Sequence, residues 1–387
     1  MHCYFRGLPM LNRDLKFVFV CNLVGSFGDG LFAYLLPVYM GNTLGASSVH
    51  IGILYAVTSL LAATTLLVSG TLADRYDRKK IMIAGWIAWL PAPLIFSFAR
   101  NWVEMIPGMI MWGFWLGGPS GTAYIVTAAD KNKLTLTFTT MSVAWSIGYI
   151  LSPATGGFLA ANIGMKPVFY ASFVLYALAC FSLFFIKSQR ASCPQAEPNA
   201  DYSFRKLVRN RKLLSYSLFF AILMFVLMMF RSFIPKFVAD VYKSNDFQIG
   251  VLGSISYASS AAFGILLGRL GDKSSKSYPL ALTAVLNSMS MVLLILSGNF
   301  SVLAVSFALI GASYMTWSLM NSMVGPLAPE ACRARWVAVP QVISMFASFI
   351  APYVGGFLYA FSPQYPFMVA VILMPMLAVL ALRLFKK

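Results

Sequence analysis

The sequence predicts an all-α membrane protein whose twelve transmembrane helices form two pseudo-symmetric six-helix bundles. Three observations carry this: an apolar composition, a long internal repeat, and alternating positive charge. Hydrophobic residues make up 59% of the 387 and charged residues 11%, with a mean hydropathy of +0.76. Soluble domains carry about 25% charged residues, so lipid is the expected solvent. Gly70-Thr-Leu-Ala-Asp74-Arg75 recurs 198 residues later as Gly268-Arg-Leu-Gly-Asp272-Lys273, and the same shift carries Pro37 onto Pro235 and Ile51-Gly52 onto Ile249-Gly250. After one inserted residue the shift is 199, carrying Pro153, Gly156 and Gly157 onto Pro352, Gly355 and Gly356. Such a repeat predicts two similar membrane halves with a binding site between them, as in carriers.

A span needs about 20 mainly apolar residues. The first, 15–40, follows Arg6, Arg13 and Lys16; the second, 48–73, ends at the Asp74-Arg75 loop; the third, 80–99, follows Arg78, Lys79 and Lys80. The fourth, 103–128, precedes Lys131 and Lys133, and the fifth, 134–161, carries the Pro153–Gly157 run. The sixth, 167–187, ends where a polar stretch with Pro194, Glu197, Pro198 and Asp201 begins. That stretch reads as a linker, 190–211, between bundles at 1–189 and 212–387. The remaining spans are 212–237, 247–270, 278–298, 301–327, 336–361 and 365–385. The runs are continuous, unlike the alternating strands of a barrel. Pro91, Pro93, Pro107 and Pro119 predict kinks.

The net charge of +17 does not indicate a nucleic-acid partner, because 24 of the 29 basic residues fall in every second connection and at the ends. Only Arg100, Lys166, Lys236 and Lys243 fall on the opposite side, and Arg231 lies inside a span. This asymmetry predicts a plasma-membrane protein with both termini in the cytoplasm. The five cysteines are scattered, His2 precedes the first span and His50 sits at the very start of the second, so neither a disulfide framework, a metal centre nor a cofactor is expected. Neither a nucleophile elbow, paired membrane aspartates nor a phosphate-binding glycine loop is present, so no enzyme is predicted.

The loop after the second span has a physical reading of its own. Gly70 permits close helix approach, and Asp74 suits the N-terminus of a neighbouring helix. Arg75, Arg78 and Lys79 suit acids or lipid phosphates. With Gly268, Asp272 and Lys273 in the second copy, they predict a cytoplasmic gate. The Gly70-x-x-x-Asp74-Arg75-x-x-Arg78-Lys79-Lys80 run resembles the signature loop of the major facilitator superfamily, and Ser152-Pro153-x-x-Gly156-Gly157 resembles its antiporter motif. The resemblance covers the whole chain and is to the drug/proton antiporter-like branch. It implies alternating access around a cavity lined by spans 1, 2, 4, 5, 7, 8, 10 and 11. One departure stands out: Gly113 occupies the place where exporters of the family often carry an arginine.

Asp29 is the one acid deep in a span, and a charge there costs roughly 2.5–3.5 kcal/mol on insertion scales. Asn22, Ser26 and Asp29 share a helix face, so the stripe is expected to face the cavity, with Asp29 a proton-coupling carboxylate. The repeat places Asp29 on Leu227, one turn from Arg231, which predicts an interaction between the two charges. Trp115, Trp145, Tyr149, Tyr314, Trp317, Asn321 and Gln341 are further lining residues by the same face argument. The Pro153, Gly156, Gly157, Pro352, Gly355 and Gly356 runs predict close helix packing.

The predicted function is a monomeric secondary transporter of a small organic solute, a proton-coupled exporter of apolar or cationic compounds. An importer or facilitator of an organic anion or neutral metabolite, with Arg231 as counter-charge, is the alternative. A transporter-like membrane sensor is the alternative of another class. Membrane lipid is the expected surrounding partner.

Overall fold

The computed structural model describes residues 11–130, 133–190, 211–324 and 333–385, and among them it is helical with no strand. Among the described residues eleven helical runs are long and apolar enough to cross a membrane. The expected fourth span departs from a continuous helix. It comprises a short 3-10 turn, then Ile106–Trp112 and Gly117–Ala128, separated by an opened segment. Gly113, Gly117 and Gly118 have the weakest helix preference after proline. Two of the prolines expected to kink helices instead start them, where their missing N–H costs nothing: Pro91 opens Pro91–Phe98 and Pro107 lies in the first turn of Ile106–Trp112.

The repeat extends to helix limits. Arg13–Ala33 and Arg211–Arg231 differ by 198 residues at both ends, and each is followed by a proline-led helix, Leu36–Asn42 or Ile234–Tyr242. Ser48–Arg75 and Asp246–Lys273 keep the same offset. The opened segment is repeated too: the 3-10 turn Gly311–Met315 interrupts the tenth span at the residue that the shift assigns to Gly113.

The chain forms two compact units. One holds Met1–Gly45, Leu60–Ala196 and Asn245–Ser254; the other holds Ala46–Ser59, Glu197–Ser244 and Ile255–Lys387. In the first unit the Arg13–Ala33 helix packs between Leu134–Ile163 and Met165–Ser182. A methyl group at Gly148 would overlap Ser26 Oγ, and one at Gly156 would overlap the Leu31 carbonyl. The same unit draws in 245–254 because Gly250 lies on the Pro153 carbonyl and Gly157 on that of Asp246. The Ala154 N–H also donates to Ser254 Oγ at 3.0 Å.

The second unit repeats this contact with the roles exchanged. Gly52 lies on the Pro352 carbonyl and Gly356 on that of Ser48, while Gly355 meets the Met229 carbonyl. Its seventh span also holds an ion pair between Nζ of the buried Lys236 and Oδ2 of the half-buried Asp240 at 2.9 Å, with the Tyr359 hydroxyl donating to the Asp240 carboxylate at 2.8 Å.

Candidate solute-binding site

Asp29 sits on the last turns of the Arg13–Ala33 helix, 6% exposed. Its carboxylate accepts three hydrogen bonds inside the first unit. Trp112 Nε1 donates to Oδ1 at 2.8 Å and the Tyr176 hydroxyl to the same oxygen at 2.5 Å, while the Tyr149 hydroxyl donates to Oδ2 at 2.7 Å. The donors come from the fourth, sixth and fifth spans. They replace the hydration that a carboxylate loses on burial. The stripe expected beside Asp29 divides. Ser26 turns its hydroxyl back to the Leu23 carbonyl at 3.1 Å and abuts Gly148, so it serves helix packing. Asn22 faces Met141 Sδ at 3.9 Å and lines a cavity.

That cavity has a volume of about 160 Å³, a size that accepts a single aromatic ring. Trp86, Trp89, Phe114, Trp115 and Trp145 form its aromatic walls, with Asn22 and Thr122 as its polar members. The opened fourth span builds one side. Its freed backbone groups find side-chain partners, as burial demands: Trp89 Nε1 donates to the Phe114 carbonyl at 2.6 Å, and the Trp115 N–H donates to Thr65 Oγ1 at 2.9 Å. Third and fourth spans meet closely where Gly85 faces Gly117.

The walls and the carboxylate are mechanically joined. Trp145 stacks on Tyr149 with centroids 5.8 Å apart and planes 17° apart. Tyr176 lies 5.4 Å from Trp86 and 6.1 Å from Trp89. Trp112 is the last residue before the opened segment. Each donor to Asp29 therefore either packs against a wall ring or adjoins the segment that carries two of them.

In the second unit the Arg231 guanidinium carbon lies 3.8 Å from the centroid of the Tyr314 ring. Tyr314 lies 4.9 Å from Tyr257. Gln341 Nε2 donates to Asn321 Oδ1 at 3.0 Å, so those two expected lining residues do meet. Trp317 is half-buried on the helix after the 3-10 turn. Asp29 and Arg231, expected to interact, are each engaged within their own unit.

The loop residues act inside the first unit as well. One nitrogen of Arg78 donates to Thr127 Oγ1 at 2.6 Å, Gln189 Oε1 at 2.9 Å and the Ala123 carbonyl at 3.2 Å. Lys79 Nζ reaches the carbonyls of Phe184 and Ile186, both at 2.7 Å. Asp77 caps the following helix and binds Ser188 and Gln189. Arg75 is exposed, as are Gly268, Asp272 and Lys273. Gly70 and Asp74 lie on the Ser48–Arg75 helix, and their side-chain surroundings fall outside the described residues.

Sequence reasoning passed over Trp86, Trp89, Tyr176 and Asp77. A signal existed for the first two: with Met82 and Gly85 they share a face of the third span. Tyr176 shares a face with Ser172 and Cys180, a polar line in an otherwise apolar run.

A helical membrane protein built from two copies of one unit, each with a helix opened at the same place beside aromatic and charged groups, has the construction of a carrier. A family model described as Major Facilitator Superfamily matches residues 18–273 and again 228–387. The chain belongs to this superfamily and is a multi-pass membrane transporter. It is 26% identical over 353 residues to the multi-drug resistance efflux pump PmrA homolog of Lactococcus lactis, covering 87% of this chain and 85% of that protein. It is 26% identical over 266 residues to the multidrug resistance protein MdtG of Yersinia enterocolitica, covering 65% of this chain and 63% of that one. Its fold matches the crystal structure of the nucleoside transporter NupG with a TM-score of 0.81 at 15% identity, over 97% of this chain and 100% of that one.

Proposed function

We propose that the chain exports apolar, ring-bearing organic compounds across the cytoplasmic membrane in exchange for protons. The two bundles, 1–189 and 212–387 joined by 190–211, alternate access to the solute, and both termini lie in the cytoplasm. The carrying observation is the linkage between the aromatic cavity and Asp29 through Tyr149, Tyr176 and Trp112. A ring entering among Trp86, Trp89 and Trp145 displaces the rings that hold two of the carboxylate's donors. Proton occupancy of Asp29 and solute occupancy of the cavity then exclude or require one another, which is what exchange needs. The relatives named for multidrug efflux support the direction and the breadth of substrate. None of the residues lining the cavity is acidic, which favours apolar over cationic cargo at that point.

The test is accumulation of a neutral fluorescent aromatic dye in proteoliposomes under an imposed pH gradient. The wild-type protein is expected to concentrate the dye, and an uncoupler to abolish this. Asp29→Asn is expected to remove the dependence on the gradient while dye-for-dye exchange persists. Gradient-driven accumulation unchanged in Asp29→Asn would remove that carboxylate from coupling.

A further inference from the structure

Arg231 ends the Arg211–Arg231 helix inside the seventh span, short of the span's outer end at Tyr242. A cation at that depth is expensive and needs a partner or a task. Among the described residues no carboxylate lies within ion-pair distance of it. The next acid along the chain, Asp240, is already committed to Lys236 and Tyr359. The guanidinium instead stands over Tyr314, 3.8 Å from the ring centroid. That contact engages the guanidinium's charge and none of its five N–H donors, and among the described residues none of those donors makes a hydrogen bond. Arg231 is half-buried rather than sealed, and its nitrogens are not among the buried polar atoms left unbonded, so that edge is open.

The repeat argues that this arrangement does not serve the fold. The first half builds the same helix, break and proline-led helix with Ala33 where Arg231 stands. The same shift puts Leu116 at the place of Tyr314 and Ser59 at that of Tyr257. One repeat folds without the stack; the other carries cation, ring and ring from three different spans.

We propose that Arg231, oriented by Tyr314, is an anion-binding subsite for the carboxylate of an aromatic organic acid. The carboxylate docks edge-on across two guanidinium N–H groups, and the acid's ring lies against the Tyr314–Tyr257 pair. This extends the transport reading from apolar to acidic ring-bearing cargo, yet the binding it asserts needs no transport.

The experiment is calorimetric titration of the full chain in detergent with three probes of one shape: 2-naphthoate, neutral 2-naphthamide and cationic 2-naphthylmethylamine. The wild-type protein is expected to bind naphthoate at least ten-fold tighter than either of the others. Arg231→Ala, which restores the first repeat's residue, and Arg231→Gln are expected to erase that preference. Arg231→Lys is expected to keep a weakened one, because a point charge cannot pair across two donors. Equal affinity for the three probes in the wild type, no saturable naphthoate binding, or a preference that survives in Arg231→Gln overturns the proposal. The wild-type series decides even if a variant fails to fold. Loss of dye accumulation with the naphthoate preference intact would count against export and leave the subsite standing.

Discussion

At Asp77 a single side chain ties three segments together. Its carboxylate accepts the Lys79 N–H at 2.9 Å, the Gln189 N–H at 3.3 Å and the Ser188 hydroxyl. Burial pushes the carboxyl up, but the hydrogen bonds from Ser188, Gln189, Lys79 and Lys80 together outweigh it and hold it below the usual carboxylate value. An unfolded aspartate titrates at about 3.9. The folded group releases its proton at lower pH, so its stabilisation is fully present above about pH 4 and is lost as pH falls through the folded value. Asp77→Asn, which keeps a capping side chain but loses the charge that its donors favour, is expected to cost about 1 kcal/mol at pH 7, and the gap to the wild type is expected to narrow as pH falls below about 4. Thermal unfolding in detergent above and below that pH checks this; an equal gap at both would mean that the charge is irrelevant. Asp77 was not legible as a cap because the glycine–aspartate spacing drew attention to Asp74. Only the fold brings Ser188 and Gln189 from the far end of the sixth span to Asp77. Asp29 was legible because one carboxylate in an apolar run has no inexpensive explanation, whereas its three donors come from spans that only tertiary packing sets beside it.

Helix endings show what the repeat preserves and what it lets vary. Ile234–Tyr242 ends at Lys243 in the left-handed region with φ +54°, and the equivalent residue of the first half is Gly45 with φ +69°. Glycine adopts that backbone freely, while a side chain there costs roughly 1–2 kcal/mol. Lys243→Gly is expected to stabilise the protein by about 1 kcal/mol and Lys243→Val to destabilise it, read as opposite shifts of the thermal midpoint. The helices themselves were legible, since apolar run length and basic connections mark them directly. The opened fourth span was less so. Its apolar run is unbroken, and the sequence holds the break only as a cluster of glycines whose effect depends on Trp89 and Thr65 receiving the freed backbone groups.

Across the whole molecule the two repeats exchange the same small contact. Gly52 rests on the Pro352 carbonyl in one unit and Gly250 on the Pro153 carbonyl in the other. The sequence shows the paired glycines and prolines but not that each glycine finds the other repeat's proline; that choice is made by packing among distant spans. A methyl group at either glycine would strike backbone rather than a movable side chain. Gly52→Ala and Gly250→Ala are each expected to cost about 1–3 kcal/mol by overpacking. Gly268→Ala is the control: an added methyl there meets nothing within 4 Å, and its helical setting predicts a gain of about 0.5–1 kcal/mol. Comparable losses at all three sites, measured by thermal unfolding, would show that glycine contributes something other than room.

The two oxygens of Asp29 are not equivalent in what they tolerate. Oδ1 faces an indole, which only donates, and a phenol; Oδ2 faces a phenol alone. A hydrogen arriving on Oδ2 can be handed across to the Tyr149 oxygen, reversing the direction of that one bond and leaving Trp112 and Tyr176 in place. A hydrogen arriving on Oδ1 can be handed only to Tyr176, because the indole at the same oxygen has no lone pair to receive it. The acid's occupancy can thus be read by the fifth span through Tyr149 and by the sixth through Tyr176, whereas the indole of the fourth can answer only by donating.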